Sequence, residues 1–249
     1  PMTQRSDRTA FPPDRLRVSV YRQDEEAVRL WKKYTPLRDE HIARLGAKSN
    51  FWPANAPEDG PDGPCGPCSE IFFDLRLKPS PIGWRGAAKN PTCSVTGCPD
   101  VPESVDCVCR QFLEIWNLVF QQFDRRGATN LVPLPMASID TGAGFERLLT
   151  VLAHLAEPGK GIYSNFDTAL FRDLVEIPFQ LKSSIHHESF PSSRIVDGQH
   201  DVRARRVADH ARAAVMCIAD GVRPSNEGRG YVLRRVIRRA VRDLYYLGF

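Results

Sequence analysis

One short segment, residues 140–149 with the sequence DTGAGFERLL, constrains the fold more than any other part of the chain. The preceding residues, ASID, indicate the end of a strand, and residues from about 145 to 155 have the spacing of an apolar helix. A strand must therefore pass into a helix through a tight glycine turn.

The side chains at this junction suit a charged ligand. Asp140 at a strand end can hold an ammonium group, and Gly142 and Gly144 let the backbone approach a ligand closely. Arg147 at the helix start adds a guanidinium for a phosphate or carboxylate, where the helix N-terminus also favours anions. The alternative is a purely structural turn with an Asp cap and a surface Glu-Arg pair.

A second segment, FLEIWNLVFQQF at residues 112–123, predicts an apolar strand that contains two polar residues, Glu114 and Asn117. Strict alternation places these two on opposite faces. Burying either one without a partner costs roughly a few kcal/mol, so we expect at least one to meet a ligand, a metal or a hydrogen-bond partner. A partnered polar residue in the core is the alternative.

The order of the remaining elements predicts an α+β fold. We predict a strand at 15–21, a helix at 24–34, a long loop at 50–69, a strand at 70–77 and a Pro/Gly/Cys-rich insertion at 78–106. The polar segment at 179–202 is predicted to be a linker. It would separate a body at 1–178 from a helical part at 203–249.

The last part of the chain predicts two amphipathic helices with a basic surface. Val207, Ala211, Val215 and Ile218 share one face of the first helix. The second has the apolar stripe Val232, Leu233, Val236, Ile237, Ala240 and Val241 opposite Arg234, Arg235, Arg238, Arg239 and Arg242. Residues 203–249 hold eleven arginines and four acidic residues, whereas the whole 249-residue chain has a formal net charge of +4. This basic part, with the connecting loop RPSNEGRGY, indicates contact with RNA or DNA; a solvated helix surface is the alternative.

A zinc site is one interpretation of the seven cysteines in the chain. GPCGPC has the C-x2-C spacing of half such a site, and CSVTGC or CVC could supply the rest. A rigid Pro-Gly turn with packed thiols is the favoured interpretation. No run of 18 apolar residues occurs, so no membrane span is predicted.

Six segments in this order resemble the alanyl-tRNA synthetases, from about residue 16 to residue 242. They are NFWPANAPEDGPDGPCGPCSEIFFD, LEIWNLVFQQFDR, SIDTGAGFERLL, NFDTALF, RVADHARAAVMCIADGV and PSNEGRGYVLRRVIRRAVR. DTGAGFERL is similar to the third signature motif of class II synthetases. The resemblance implies a class II antiparallel sheet flanked by helices and an all-helical domain that recognises the tRNA acceptor stem. It also implies ATP-dependent activation of alanine and its transfer to the 3′ end of tRNA(Ala).

The resemblance also implies roles for individual residues. Asp140 would hold the alanine ammonium, with Asn117, Val119 and Gly142 in the same pocket. Arg147 and Gly144 would bind ATP, and Glu114 would hold Mg²⁺. In the helical part, the residues that would meet the acceptor stem are Asp209, Asn226, Arg234 and Arg238, with Asn226 at the G·U wobble pair that the family recognises.

The chain also departs from the family's pattern. The first signature motif, and the second with its ATP-binding arginine, are not found here, nor is the editing domain. We therefore expect an internal fragment with little adenylation activity by itself. The insertion at 78–106 and EPGKGIY at 157–163 have no counterpart in that pattern. Two other hypotheses stay open: a tRNA-binding module without catalysis and a zinc-dependent nucleic-acid protein. The expected location is the cytoplasm, with chloroplast or mitochondrion as the alternative.

Overall fold

The computed structural model describes residues 11–75, 112–127, 130–186 and 198–249. The chain forms two compact units, Pro1–Tyr163 and Ser164–Phe249. This division falls before the boundary predicted at residue 178, and the predicted functional domains stay a prediction. The insertion predicted at 78–106 lies outside the described residues.

The first unit is built on a six-stranded sheet. Its strands are β1 (Leu16–Tyr21), β2 (Ile42–Leu45), β3 (Phe51–Trp52), β4 (Gly63–Asp74), β5 (Phe112–Arg125) and β6 (Leu131–Ala143). The order is β2-β1-β4-β5-β6, and β3 pairs with β4. The pair β1–β2 is parallel and the other pairs are antiparallel, so the sheet, which was predicted to be antiparallel, is mixed.

Two predictions about local structure in this unit are wrong. The loop predicted at 50–69 contains β3, a short helix and the first residues of β4, so the C-x2-C segment lies in a strand. The predicted glycine turn is absent at residues 140–144, because β6 continues to Ala143 and Gly144, with φ −76°, directly precedes a helix. Strand pairing with β5 extends the backbone that the glycines alone would have allowed to turn.

In the described part of this unit, four α-helices accompany the sheet: α1 (Glu25–Tyr34), α2 (Ala47–Asn50), α3 (Ala56–Asp59) and α4 (Phe145–Ala156). The Asp24 side chain accepts a hydrogen bond from the backbone N–H of Ala27 and caps α1, which therefore begins at Glu25, one residue after its predicted start. Val28 of α1 packs with Val20 of β1. These contacts fix α1 against one face of the sheet.

Helix α4 packs against the same face, because its Val151 contacts Phe73 and Ile115 in a cluster to which Ile71 also belongs. Along β4, Ile71 and Phe73 alternate with residues that point to the other side. The opposite face of the sheet, which α1 and α4 do not cover, is therefore the one from which polar side chains of β4 and β5 project.

The second unit contains α5 (Arg172–His186), α6 (Gly198–Ala219) and α7 (Gly228–Tyr246). Its core includes Ala204, Val207 and Leu247. The linker predicted at 179–202 is helical at both ends, since α5 continues past Pro178 to His186 and α6 begins at Gly198.

The apolar stripes predicted for these two helices are buried only in part. Val207 and Leu233 are buried, whereas Val215, Val232 and Val241 are each more than half exposed. Periodicity identified the helices but not which half of each stripe packs within the unit. Over the described ranges, no helix is long and apolar enough to cross a membrane.

Candidate active site

Glu114 and Asn117 lie on the same face of the sheet, so the opposite-face prediction is wrong. In the ladder between β4 and β5, Asn117 is opposite Glu70, and Glu114 is opposite Phe72, two residues further along β4. The register shift between Ile71 and Phe72 is a β-bulge that gives β5 one extra residue. The bulge turns two side chains that simple alternation would separate towards one side.

Two rows of paired residues cross this face. One row runs Ser19, Glu70, Asn117 and Gly142, and the next runs Cys68, Val119 and Asp140. Paired residues project to the same side of a sheet. The structure therefore brings together all four residues predicted to bind the amino acid: Asn117, Val119, Asp140 and Gly142.

The members of these rows differ in exposure. Asp140 is exposed, Val119 is buried, and Asn117 is half-buried. A Cβ atom added at Gly142 would meet nothing within 4 Å, so this glycine leaves open space beside Asn117. The exposed carboxylate, the amide and this open space together can receive a small cationic group.

Arg147 and Glu114 form an ion pair beside the two rows. Nη1 of Arg147 lies 2.8 Å from Oε2 of Glu114 and 3.0 Å from its backbone oxygen. A Cβ at Gly144 would lie 3.2 Å from Cδ of Arg147, so the glycine leaves room for the arginine side chain. The backbone N–H of Gly144 donates to the oxygen of Ile115, which ties the start of α4 to β5.

Glu70 is a buried site residue that the sequence analysis missed. It is 4% exposed and accepts hydrogen bonds from Ser19 Oγ at 3.3 Å and from Asn117 Nδ2 at 3.4 Å. Burial and repulsion from Glu114 raise the pKa of Glu70 to about 7. The hydrogen bond from Ser19 and the positive charge of Arg147 act in the opposite direction and lower this pKa. The available signal was a carboxylate inside the apolar strand EIFF, the same signal that identified Glu114.

A pocket of about 240 Å³ opens on this face. Its lining includes Lys48, Phe51 and Trp52 from one side and Cys68, Glu70 and Asn117 from the strands. Its volume lies below the usual range for drug-sized ligands, which suits a small molecule. The arrangement offers carboxylate and amide oxygens for an ammonium group, and it places a guanidinium nearby for an anion.

The carboxylate predicted to hold a divalent ion is that of Glu114, whose Oε2 accepts a hydrogen bond from Arg147. Mg²⁺ is commonly held by one or two carboxylates together with substrate phosphates rather than by a cage of protein ligands. Glu114 beside Arg147 fits that pattern. Within the described part of the chain, no three His, Cys, Asp or Glu side chains form a cluster suited to a metal ion.

The two cysteines of the C-x2-C segment are buried free thiols. Cys65 is 0% and Cys68 is 2% exposed. Burial raises the pKa of both thiols, for Cys68 to about 12, whereas zinc binds the thiolate. The cysteines that could complete such a site, at 93, 98, 107 and 109, lie outside the described residues.

The residues predicted to contact RNA lie in the second unit. Asp209 of α6 is exposed and contacts His210 Nδ1 at 2.9 Å. Asn226, in the loop before α7, accepts a hydrogen bond from Nη1 of Arg234, so these two predicted residues meet. Arg238, one turn further along α7, is exposed.

Comparisons with known proteins identify the family of this chain. The model of the family described as tRNA synthetases class II (A) matches residues 4–249. The chain therefore belongs to this class II tRNA synthetase family.

Its curated relatives carry a more specific name. The alanine–tRNA ligase of Parvibaculum lavamentivorans is 43% identical over 239 residues, which are 96% of this chain and 22% of the relative. Those of Pelotomaculum thermopropionicum and Thermotoga petrophila are 40% and 41% identical, over 96% and 95% of this chain and 23% of each relative. The chain thus spans less than a quarter of the length of the curated relatives it matches.

Proposed function

We propose that this chain is part of an alanine–tRNA ligase, which uses ATP to convert alanine to alanyl-adenylate and transfers alanine to the 3′ end of tRNA(Ala). The observation that carries the proposal is the shared face of the sheet, on which Asn117 lines a small pocket and Asp140 projects from the neighbouring row. Arg147 is paired with Glu114 of the same face. The names of the curated relatives support the same reaction. A cytoplasmic location accords with this role and stays a prediction.

The two rows on the sheet suit the amino-acid side of the reaction. The carboxylate of Asp140 and the amide oxygen of Asn117 would bind the alanine ammonium. Val119, which is 6% exposed, would form the apolar floor beneath the methyl group. Gly142 would leave the space that the ligand needs beside Asn117.

Arg147 suits the nucleotide side. Its guanidinium would bind ATP phosphate oxygens, and Gly144 would keep room for that side chain. Glu114 would help to hold Mg²⁺, which offsets phosphate charge when bound. The alanine carboxylate attacks the α-phosphate and pyrophosphate leaves, so no protein nucleophile is needed. The residues act by positioning the reactants and stabilising charge.

The basic helices suit the tRNA acceptor stem. Arg234 and Arg238 would contact phosphates, and Asn226 would read the G·U pair, with its amide oriented by the hydrogen bond from Arg234. Asp209 would lie near the same stem. Phosphate contacts would position the RNA, and the Asn226 contact would supply sequence information.

Binding of L-alanine to the purified chain tests the amino-acid site, with glycine and L-serine as competitors. Because the second signature motif is not found here, we expect little isotope exchange between pyrophosphate and ATP from this chain by itself. We expect alanine to bind in preference, and Asp140→Asn to weaken binding by at least about tenfold, since hydrogen bonds to charged groups are the stronger ones. The matched control is Asp59→Asn, a change at an exposed carboxylate on α3. Equal binding of alanine by the wild type and Asp140→Asn would contradict the proposed site.

A further inference from the structure

Glu70 lies between Ser19 and Asn117 in the first row of paired residues, and none of the roles proposed above involves it. Both of its carboxylate oxygens have donors, Asn117 Nδ2 at Oε1 and Ser19 Oγ at Oε2. Ser19 Oγ in turn accepts from Nδ2 of Asn50 at 2.8 Å. Side chains from β1, β5 and α2 are thereby linked through one buried carboxyl group of β4.

The contact with Glu70 determines which way the Asn117 amide points. Asn117 Nδ2 donates to Oε1 of Glu70, so Oδ1 faces away from Glu70. Oε1 can accept this hydrogen bond both in the ionised carboxylate and in a neutral carboxyl group whose proton is on Oε2. Oδ1 of Asn117 is buried and has no hydrogen-bond partner among the described residues. Asn117 also lines the pocket. A buried acceptor without a donor is unfavourable, so this atom indicates a ligand that brings one.

We propose that Glu70 is a positioning residue, which holds the amide of Asn117 so that Oδ1 faces the ammonium group of a bound amino acid. The identity of the amino acid as alanine rests on the proposed function, whereas the orientation of the amide does not. Glu70 acts through Asn117, and what it must supply is a hydrogen-bond acceptor. Charged groups near this carboxyl come from several elements: Lys48 of α2, Glu114 of β5 and Arg147 of α4.

Two substitutions separate an acceptor from a charge. In Glu70→Gln, the amide oxygen can still accept from Asn117 and the amide nitrogen can donate to Ser19 Oγ. Glu70→Met has a similar length and offers neither group. Glu58→Gln and Glu58→Met are the matched controls, because Glu58 is exposed on α3 of the same unit.

The first readout needs no ligand. In ¹⁵N-labelled protein, the side-chain amide signals of Asn117 are assigned by their loss in Asn117→Ala. We expect these signals to keep their shifts and slow solvent exchange in Glu70→Gln, and to move towards those of exposed asparagines in Glu70→Met. Unchanged signals in Glu70→Met would overturn the proposal. If Glu70→Met does not fold, the wild type decides: the absence of an Overhauser contact between the Asn117 amide and Glu70 would overturn it too.

The second readout is the affinity for L-alanine. We expect Glu70→Gln to stay within about threefold of the wild type and Glu70→Met to lose at least about tenfold, as the loss of one oriented hydrogen bond implies. If both variants lost the same affinity for L-alanine, the charge of Glu70 would matter rather than its hydrogen-bond acceptor. That result would contradict the proposal that Glu70 positions Asn117. If the wild type binds no alanine, the proposed function fails, and the amide signals still decide the role of Glu70.

Discussion

One nitrogen of the Arg147 guanidinium donates to two oxygens of Glu114, the carboxylate Oε2 at 2.8 Å and the backbone oxygen at 3.0 Å. The pair joins the first turn of α4 to the bulged part of β5. The side chain of Arg147 is 42% exposed, so its remaining nitrogens can reach a ligand while Glu114 holds the group in place. The residue predicted to bind ATP and the residue predicted to hold Mg²⁺ are thus one structural unit.

Removing the guanidinium should raise the pKa of Glu70 further. The charge of Arg147 opposes the burial and repulsion that bring this pKa to about 7, so Arg147→Met is expected to shift the titration of Glu70 upward. The measurement is ¹³C NMR of labelled glutamate carboxyl groups against pH. Arg44→Met, which removes a guanidinium paired with Glu25, is the control and should leave Glu70 unaffected. A downward shift in Arg147→Met would contradict the electrostatic account.

The stability of the chain should depend on pH through Glu70. Its pKa in the folded state, about 7, lies above the ordinary value of 4.5. The folded state therefore favours the neutral carboxyl, and this contribution is complete below pH 4.5 and is lost as pH rises through 7. The contribution of Glu70 to the free energy of unfolding is at most about 3 kcal/mol, because a difference of one pKa unit corresponds to about 1.36 kcal/mol.

Urea unfolding of the wild type and Glu70→Gln across this pH range gives the check, because the variant cannot titrate at this position. The free energy of unfolding of the wild type should fall relative to that of the variant as pH rises. Taking the difference between the two proteins removes the contributions of other titrating groups. If the difference in unfolding free energy between the two proteins did not change with pH, the pKa of Glu70 would be the same in the folded and unfolded states.

Neighbouring positions on α4 should respond very differently to truncation. Val151 is 0% exposed and packs against Phe73, so Val151→Ala should lower the free energy of unfolding by about 2 kcal/mol. Leu152 is 44% exposed, and Leu152→Ala should cost less than about 0.5 kcal/mol. Denaturant unfolding measures both. Similar costs would mean that α4 is packed in another rotation, which would also displace Arg147.

The two kinds of residue in the helical unit should affect RNA binding in distinct ways. Arg238→Ala is expected to weaken binding of acceptor-stem duplexes with G·U or G·C pairs equally, and to reduce the slope of affinity against salt by about 1. Asn226→Ala should lower the preference for G·U with little change in that slope. Filter binding at several salt concentrations measures both quantities. Arg38→Ala, at an exposed arginine of the first unit, is the control. A change in preference caused by Arg238→Ala would contradict these assignments.

Several features followed from local sequence alone, because their causes are local. The helix at α4 begins at Phe145 as predicted from apolar spacing, and the strand predicted at 15–21 is β1 almost residue for residue. The ordered motifs of the family also needed no tertiary information, and the family itself is confirmed.

The site was recognised in part. Asn117 and Asp140 were identified from motifs, and the structure brings them to one face. Glu70 was missed, because one carboxylate in an apolar strand gives no indication of which neighbouring strand will supply its partners. The exposed halves of α6 and α7 were missed for a related reason: a helical pattern shows an apolar face but not what covers it.

The sequence by itself determined the family to which the chain belongs and the segments that form β1, β5, α1 and α4. Only the tertiary structure decided that Glu114 lies on the same face as Asn117. Strand register depends on a partner remote along the chain, and one bulge in that pairing turns every side chain beyond it to the other face. Local periodicity contains no record of such a bulge, which is why the site could only be assembled from the folded sheet.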